Sequence, residues 1–367
     1  MSYECGLVGL PNVGKSTIFN ILTKSKAPSE NYPFCTIEPN VGVVEIDDPR
    51  LLEIGAIVKP ERVRRSSVRF VDIAGLVKDA HQGEGLGNQF LHHIRNVDAI
   101  AHVLRVFDDP QISHVYGDVN PLRDLEIVES ELILADLQTV EKSLEKLGKE
   151  MRVGKTEGRV LLENLEKLKG GLERGQRALN FIGDDKETNN YIKNLLTGKP
   201  YFVILNISED ELNDERQVEK LESIILMFAE QNIPTVPFCV PIEEAIREMS
   251  PEEKKQTLLE YNMPMSGVDL TCFAGLKSLN LITFFTAGPK EVASWNVRQG
   301  TSALEAASKI HTDISKGFIK AEVIAFEDYV NCRGEQGAKA DGKLRLEGRD
   351  YIVQDGDIIY FRFNKSI

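Results

Sequence analysis

The stretch Gly9-Leu10-Pro11-Asn12-Val13-Gly14-Lys15-Ser16 constrains this chain more than any other. A glycine, four residues and then Gly-Lys-Ser is the spacing of a phosphate-binding loop. It follows an apolar run, Tyr3 to Leu10, that reads as a buried strand. It leads into Thr17-Ile18-Phe19-Asn20-Ile21-Leu22, which reads as a helix. Strand, loop and helix in that order separate a phosphate site from a chance match. The glycines let the backbone curl so that its N–H groups point at phosphate oxygens. The helix N-terminus adds partial positive charge. Asn12, Val13, Gly14, Lys15, Ser16 and Thr17 are therefore the candidate phosphate contacts. Lys15 would reach the β and γ phosphates, and the Ser16 hydroxyl would bind Mg²⁺.

A chain of 367 residues is long for one core, so two or three domains are expected. No apolar run reaches the roughly 18 residues of a membrane span, and no basic-plus-apolar leader precedes the first strand. Five scattered cysteines without a CxxC pair suit a reducing cytoplasm and argue against structural zinc. A net charge of −13 argues against indiscriminate coating of nucleic acid.

Strand patterns at Tyr3–Leu10, Val41–Ile46, Val68–Asp72 and Ala99–Val106 alternate with helical ones, the signature of a parallel sheet. Asn120-Pro121 then reads as an N-cap followed by proline at the first helical position. Leu137, Val140, Leu144 and Leu147 step by three and four. So do Leu161, Leu165, Leu168 and Leu172 after a polar break near Gly154 and Gly158. Two narrow apolar seams of this kind predict a hairpin of antiparallel helices. The sheet pattern resumes at Tyr201–Asn206 and Pro234–Val240, so the hairpin is an insertion in an α/β domain. From Ile282 the texture is that of a small α+β domain. Ile282–Thr286, Ala321–Ala325, Leu344–Leu346, Tyr351–Val353 and Ile358–Phe363 are strand-like, and Ser302–Ser315 is helix-like.

Asp72-Ile73-Ala74-Gly75 closes a strand. An aspartate there can hold Mg²⁺ through water, and the Gly75 amide can bind the γ phosphate. Thr36, in the loop between the phosphate loop and this motif, is the candidate to complete the Mg²⁺ shell. Asn12, three residues before Lys15, can place its carboxamide oxygen where it would bind K⁺, whose charge would replace an arginine finger. The alternative is that Asn12 stabilises its own turn.

The phosphate loop, Tyr32–Asn40, Asp72–Val77, Gly83–Asn88, Phe284–Pro289 and Asp355-Gly356-Asp357 resemble the YchF family, the Obg-like ATPases. The resemblance covers essentially the whole chain. It implies a P-loop NTPase of α/β class, a Ras-like G domain, with an inserted helical coiled-coil hairpin and a C-terminal β-grasp domain of the TGS type. The expected division is 1–133 plus 197–281 for the G domain, 134–196 for the hairpin and 282–367 for the TGS-type domain. It also implies a cytoplasmic nucleotide-hydrolysing protein that works with the ribosome, mainly the large subunit, in translation or stress.

Guanine-specific relatives in this superfamily carry Asn-Lys-x-Asp where this chain has Asn206-Ile207-Ser208-Glu209. The longer Glu209 displaces the carboxylate from guanine's two donors. Ile207 is expected to lie against the adenine face, with Asn206 reading its edge, so ATP is preferred over GTP. Cys239-Val240 stands where Ser-Ala is expected. The glutamine that often orients the attacking water is replaced by Leu76, which has no hydrogen-bonding group. His114 is one substitute, with a plain surface histidine as the alternative; His81 and Glu84 are others. Asp79 stands where relatives usually have glycine. Basic clusters at Arg62, Arg64 and Arg65 and at Lys339, Lys343, Arg345 and Arg349 are candidate contacts to ribosomal RNA phosphates, or simply solvated surface. Besides an ATPase, a nucleotide-gated ribosome-binding switch with incidental turnover and a GTP-specific GTPase stay open.

Overall fold

The computed structural model describes residues 3–25, 41–73, 86–152 and 158–364. The chain forms two compact units, one of Tyr3–Val44 and Arg69–Gly275, the other of Glu45–Val68 and Leu276–Ile367. Among the described residues the first unit's strands are β1 (Tyr3–Val8), β2 (Val41–Glu45), β4 (Ser67–Asp72), β5 (Ala99–Arg105), β6 (Tyr201–Ile207) and β7 (Thr235–Cys239). Those of the second are β3 (Arg62–Arg64), β8 (Leu281–Ala287), β9 (Glu291–Arg298), β10 (Phe318–Ile324), β11 (Arg345–Glu347) and β12 (Ile358–Phe363).

The first sheet has the order β2-β4-β1-β5-β6-β7, and the pairs β1–β5, β5–β6 and β6–β7 are parallel. Every residue of β5 is buried. A strand covered on both faces reads as a nearly continuous apolar run, interrupted here by the buried His102 and Arg105. Parallel pairing puts the carboxyl ends of β1 and β6 on one edge of the sheet, where ligands of open α/β folds bind.

The hairpin's first helix runs from Pro121 to Arg152 and its second from Arg159 to Glu173. Asn120 starts the first: its Oδ1 accepts from Arg123 N at 3.1 Å. The expected seam is real. Leu137, Val140, Leu144, Leu147, Leu161, Leu165, Leu168 and Leu172 pack in one cluster with Ile192 and Leu195. The first helix starts at Pro121, as Asn120-Pro121 predicts, ahead of the hairpin boundary expected at residue 134, because its opening turns are core: Leu125 packs beside Leu104 and Ile207. The hairpin is closed by Asp136, fully buried, which accepts from Leu196 N (2.9 Å), Thr197 N (2.7 Å) and Thr197 Oγ1 (2.7 Å).

The second sheet has the order β11-β10-β12-β8-β9-β3. Helix Ala303–Ile310 covers one face, packing Ala303, Ala306 and Ala307 on Phe284, Ala321 and Phe361. Helix Pro49–Val58 covers the other, packing Leu51 and Ile54 with Phe285, Val292 and Ile324. This differs from the sequence division, which left residues 45–68 in the G domain. Their apolar helix face and the parallel β3–β9 pairing, Arg62↔Glu291 to Arg64↔Ala293, join them to the C-terminal unit. Three further helices, Thr312–Lys316, Phe326–Asn331 and Glu335–Ala340, stand where one helix was expected in all. Tyr351–Val353 is no strand; only the bridge Ser302↔Ile352 forms there.

Candidate functional site

The phosphate loop leaves β1 and enters helix Lys15–Ser25. Its curl rests on two left-handed residues, Asn12 at φ 63° and Gly14 at φ 93°. Gly14 is required twice over, since a Cβ there would also collide with Asn206 Nδ2. The Lys15 ammonium donates to Gly9 O at 2.9 Å and Leu10 O at 2.8 Å. Burial pushes its pKa down to about 8, against an upward pull from Asp72. Ser16 Oγ donates to Asp72 Oδ2 at 2.9 Å, so the two expected Mg²⁺ ligands, from the helix start and the end of β4, converge. Thr17 lies in the same first turn.

At the end of β6, Asn206 is 4% exposed and its Nδ2 donates to Val13 O at 2.9 Å. It ties the strand to the phosphate loop, and that nitrogen is not turned to a base edge. Ile207 corrects the sequence reading outright. It is 1% exposed and packs with Leu125, Leu221 and Ile242, so it has no surface to lay on an adenine. Glu209 is exposed and accepts from Tyr261 Oη at 3.1 Å. Ser208 N and Oγ both donate to Glu211 Oε2 at 2.7 Å. The Ser-x-x-Glu spacing of a capping box was the legible signal for Glu211; nothing local pointed to Tyr261. Cys239 ends β7 with its thiol buried, and burial pushes its pKa up to about 11.

The loop after β5 lies against the phosphate loop, for Asn12 Nδ2 donates to Ser113 O at 3.2 Å. Arg105, fully buried, shapes this loop. Its guanidinium donates to Phe107 O (3.0 Å), Asp109 O (3.2 Å) and Ile112 O (3.0 Å). An arginine closing a buried strand was its only signal in the sequence. His114 is not a surface histidine. Its side chain is 2% exposed, its Nε2 lies 2.8 Å from Asp124 Oδ2, and its Nδ1 accepts from Tyr116 N at 3.3 Å. With both ring nitrogens engaged, it has no free group for a water in this arrangement.

Two family models match. One, described as 50S ribosome-binding GTPase, spans residues 4–146. The other, a YchF GTPase C-terminal model described as a protein of unknown function, spans 281–364. A Haemophilus influenzae protein named ribosome-binding ATPase YchF is 48% identical over 99% of this chain and 100% of its own length. The chain belongs to the YchF family. YchF proteins named in the same way from Escherichia coli O157:H7 and Bacillus subtilis are 46% and 45% identical over the same shares. The solved Schizosaccharomyces pombe YchF GTPase superposes with a TM-score of 0.83 at 35% identity, covering 98% of each chain. A GTP-binding protein of Pyrococcus horikoshii, at 19% identity and a TM-score of 0.59, shares the fold. In this YchF chain, Thr36, Gly75, Leu76, Asp79, His81 and Glu84 lie outside the described residues.

The basic clusters are largely partnered. Arg62 and Arg64 face Glu291, Arg65 faces Asp47 and Glu45, Lys343 pairs with Asp328, and Arg345 with Asp357 and Glu347. Their charge is offset locally, which removes much of the case for them as phosphate grips. Among the described residues, no helix is long and apolar enough to cross a membrane.

Proposed function

We propose that this protein is a cytoplasmic, Mg²⁺-dependent ATPase that binds the ribosome, mainly its large subunit, and prefers ATP to GTP. The observation that carries the reading is the convergence of Lys15, Ser16 and Asp72 at the carboxyl edge of the sheet, in a chain whose full-length relatives are named ribosome-binding ATPases.

A hydroxyl and a carboxylate oxygen 2.9 Å apart fit a hard, oxygen-seeking cation that takes its other ligands from phosphate and water. Ser16, Asp72 and Thr36 would hold Mg²⁺, which when bound would supply positive charge to offset that of the phosphates. The chain does the rest. Lys15 is a desolvated cation at the phosphates, and the amides of Asn12 to Thr17 and Gly75 orient them. Asn206 holds the loop in shape through Val13 O. Asn12 spends its nitrogen on Ser113, and its oxygen, unbonded among the described residues, is the K⁺ ligand of this reading. His114 would join the reaction by exchanging Asp124 for a water. The resting pair, with the leucine at position 76, predicts slow turnover away from the ribosome.

Phosphate release from ATP and GTP, with and without purified 50S and 30S subunits, tests all parts together. Faster release from ATP, rising with 50S subunits, is expected. GTP favoured over ATP, or no co-sedimentation with 50S subunits, would refute the corresponding part.

A further inference from the structure

The geometry points to Tyr261 as a specificity-determining residue that holds Glu209 away from the base and so disfavours GTP. The inference rests on the ATP reading above. Asn206 at the end of β6 touches the phosphate loop through Val13 O and Gly14, so the turn that follows lies beside a bound nucleotide. Glu209 is on that turn, at the head of the short helix Asp210–Asn213. Ser208's N–H and hydroxyl are both taken by Glu211, so neither is free to read a base. Glu209 is exposed, at the position where guanine-specific relatives carry their aspartate.

An unrestrained carboxylate there would serve the wrong nucleotide. Guanine offers N1–H and N2–H donors on that edge; adenine offers the N1 lone pair, which a carboxylate repels. Lengthening aspartate to glutamate displaces the carboxylate but leaves it mobile on three torsions. Tyr261 removes that freedom by donating its hydroxyl to Glu209 Oε1 at 3.1 Å. The tyrosine is itself well anchored. It caps helix Pro251–Glu260, its N–H bonds to Thr257 O at 3.2 Å, and its ring packs at the edge of the core that holds Leu205 and Ile207. The helix is fixed at its other end by the reciprocal Ser250–Glu253 capping box. The donor therefore comes from a rigid element, and the acceptor from a turn that its own hydrogen bonds hold in place.

Affinities of the full chain for non-hydrolysable ATP and GTP analogues, measured by titration calorimetry, test this. Tyr261→Phe keeps the ring and removes the donor. It should shift the ATP-over-GTP ratio toward GTP by about three- to tenfold, the size of one hydrogen bond gained at a base edge. Tyr261→Leu, which also removes the donor and keeps an apolar side chain against the core, serves if the phenylalanine variant does not fold. In a Glu209→Ala background, Tyr261→Phe should change the ratio no further, because no acceptor is left to release. A purely structural role would weaken both nucleotides alike. An unchanged ratio in the Tyr261 variant, or the same shift in the Glu209→Ala background, would overturn the inference. A parent chain that already favours GTP would instead sink the ATP reading beneath it.

Discussion

Lys15 makes the sharpest test of the phosphate site, because its proton is held weakly. The residue is only 8% exposed, and burial pushes its pKa from an ordinary 10.5 down to about 8. That difference is roughly 3 kcal/mol of proton affinity lost in the folded chain. A triphosphate restores the affinity, because it brings negative charge to the same point. Nucleotide binding above pH 8 must then take up a proton. Between about pH 8 and 10.5 the affinity should fall by up to about tenfold per pH unit. The phosphates are already fully ionised there, so they contribute no competing titration. The sign for stability is opposite. In that window the unfolded chain holds the Lys15 proton and the folded chain does not, so this group makes nucleotide-free stability rise with pH. Calorimetry with an ATP analogue at pH 9, in buffers of different ionisation enthalpy, should report uptake approaching one proton per nucleotide. Lys15→Arg, ionised throughout, should show none. Zero uptake by the parent chain, with affinity flat from pH 7.5 to 9.5, would refute a buried lysine at the phosphates.

Asp72→Asn should raise the Mg²⁺ needed for half-maximal turnover by about tenfold or more, read from a Mg²⁺ titration of phosphate release; an unchanged midpoint would take Asp72 out of the metal shell. His114→Ala should slow single-turnover ATP cleavage by about a hundredfold while analogue affinity changes far less, and equal rates would exclude it from the reaction. Turnover should be faster in K⁺ than in Na⁺ at fixed ionic strength if Asn12 is a cation ligand. Asp136→Ala strands the amides of Leu196 and Thr197 in the hairpin's root and should cost about 3 kcal/mol in thermal or urea melts; a loss below about 1 kcal/mol would mean that water replaces the carboxylate.

Local pattern was enough wherever a residue's role depends on its near neighbours. The phosphate loop, the parallel strands and both seams of the hairpin were readable because their periods and spacings are set within a few residues. Asn120-Pro121 marked the start of the long helix by the same logic. Roles that depend on what faces a side chain from far along the chain were not readable. Ile207 was assigned to a base by position in a motif, yet the direction of its side chain is decided by which face of β6 packs on Leu221 and Ile242. His114 looked like a loop residue, and its burial depends on Asp124 in the next helix.

The sequence by itself determined that Gly9–Ser16 has the form of a phosphate-binding loop, that a helical hairpin interrupts the sheet, and that the Asn-Lys-x-Asp pattern is altered at Glu209. Only the tertiary structure decided that residues 45–68 build the C-terminal unit, that Asn206 spends its amide on Val13, and that Tyr261 holds Glu209. The physical reason is reach. Backbone curl and helical periodicity are set by bonds and contacts within a turn or two of chain. A hydrogen-bond partner 52 or 193 residues away is chosen by how whole elements pack, and packing rewards any side chain of the right shape wherever it lies in the sequence.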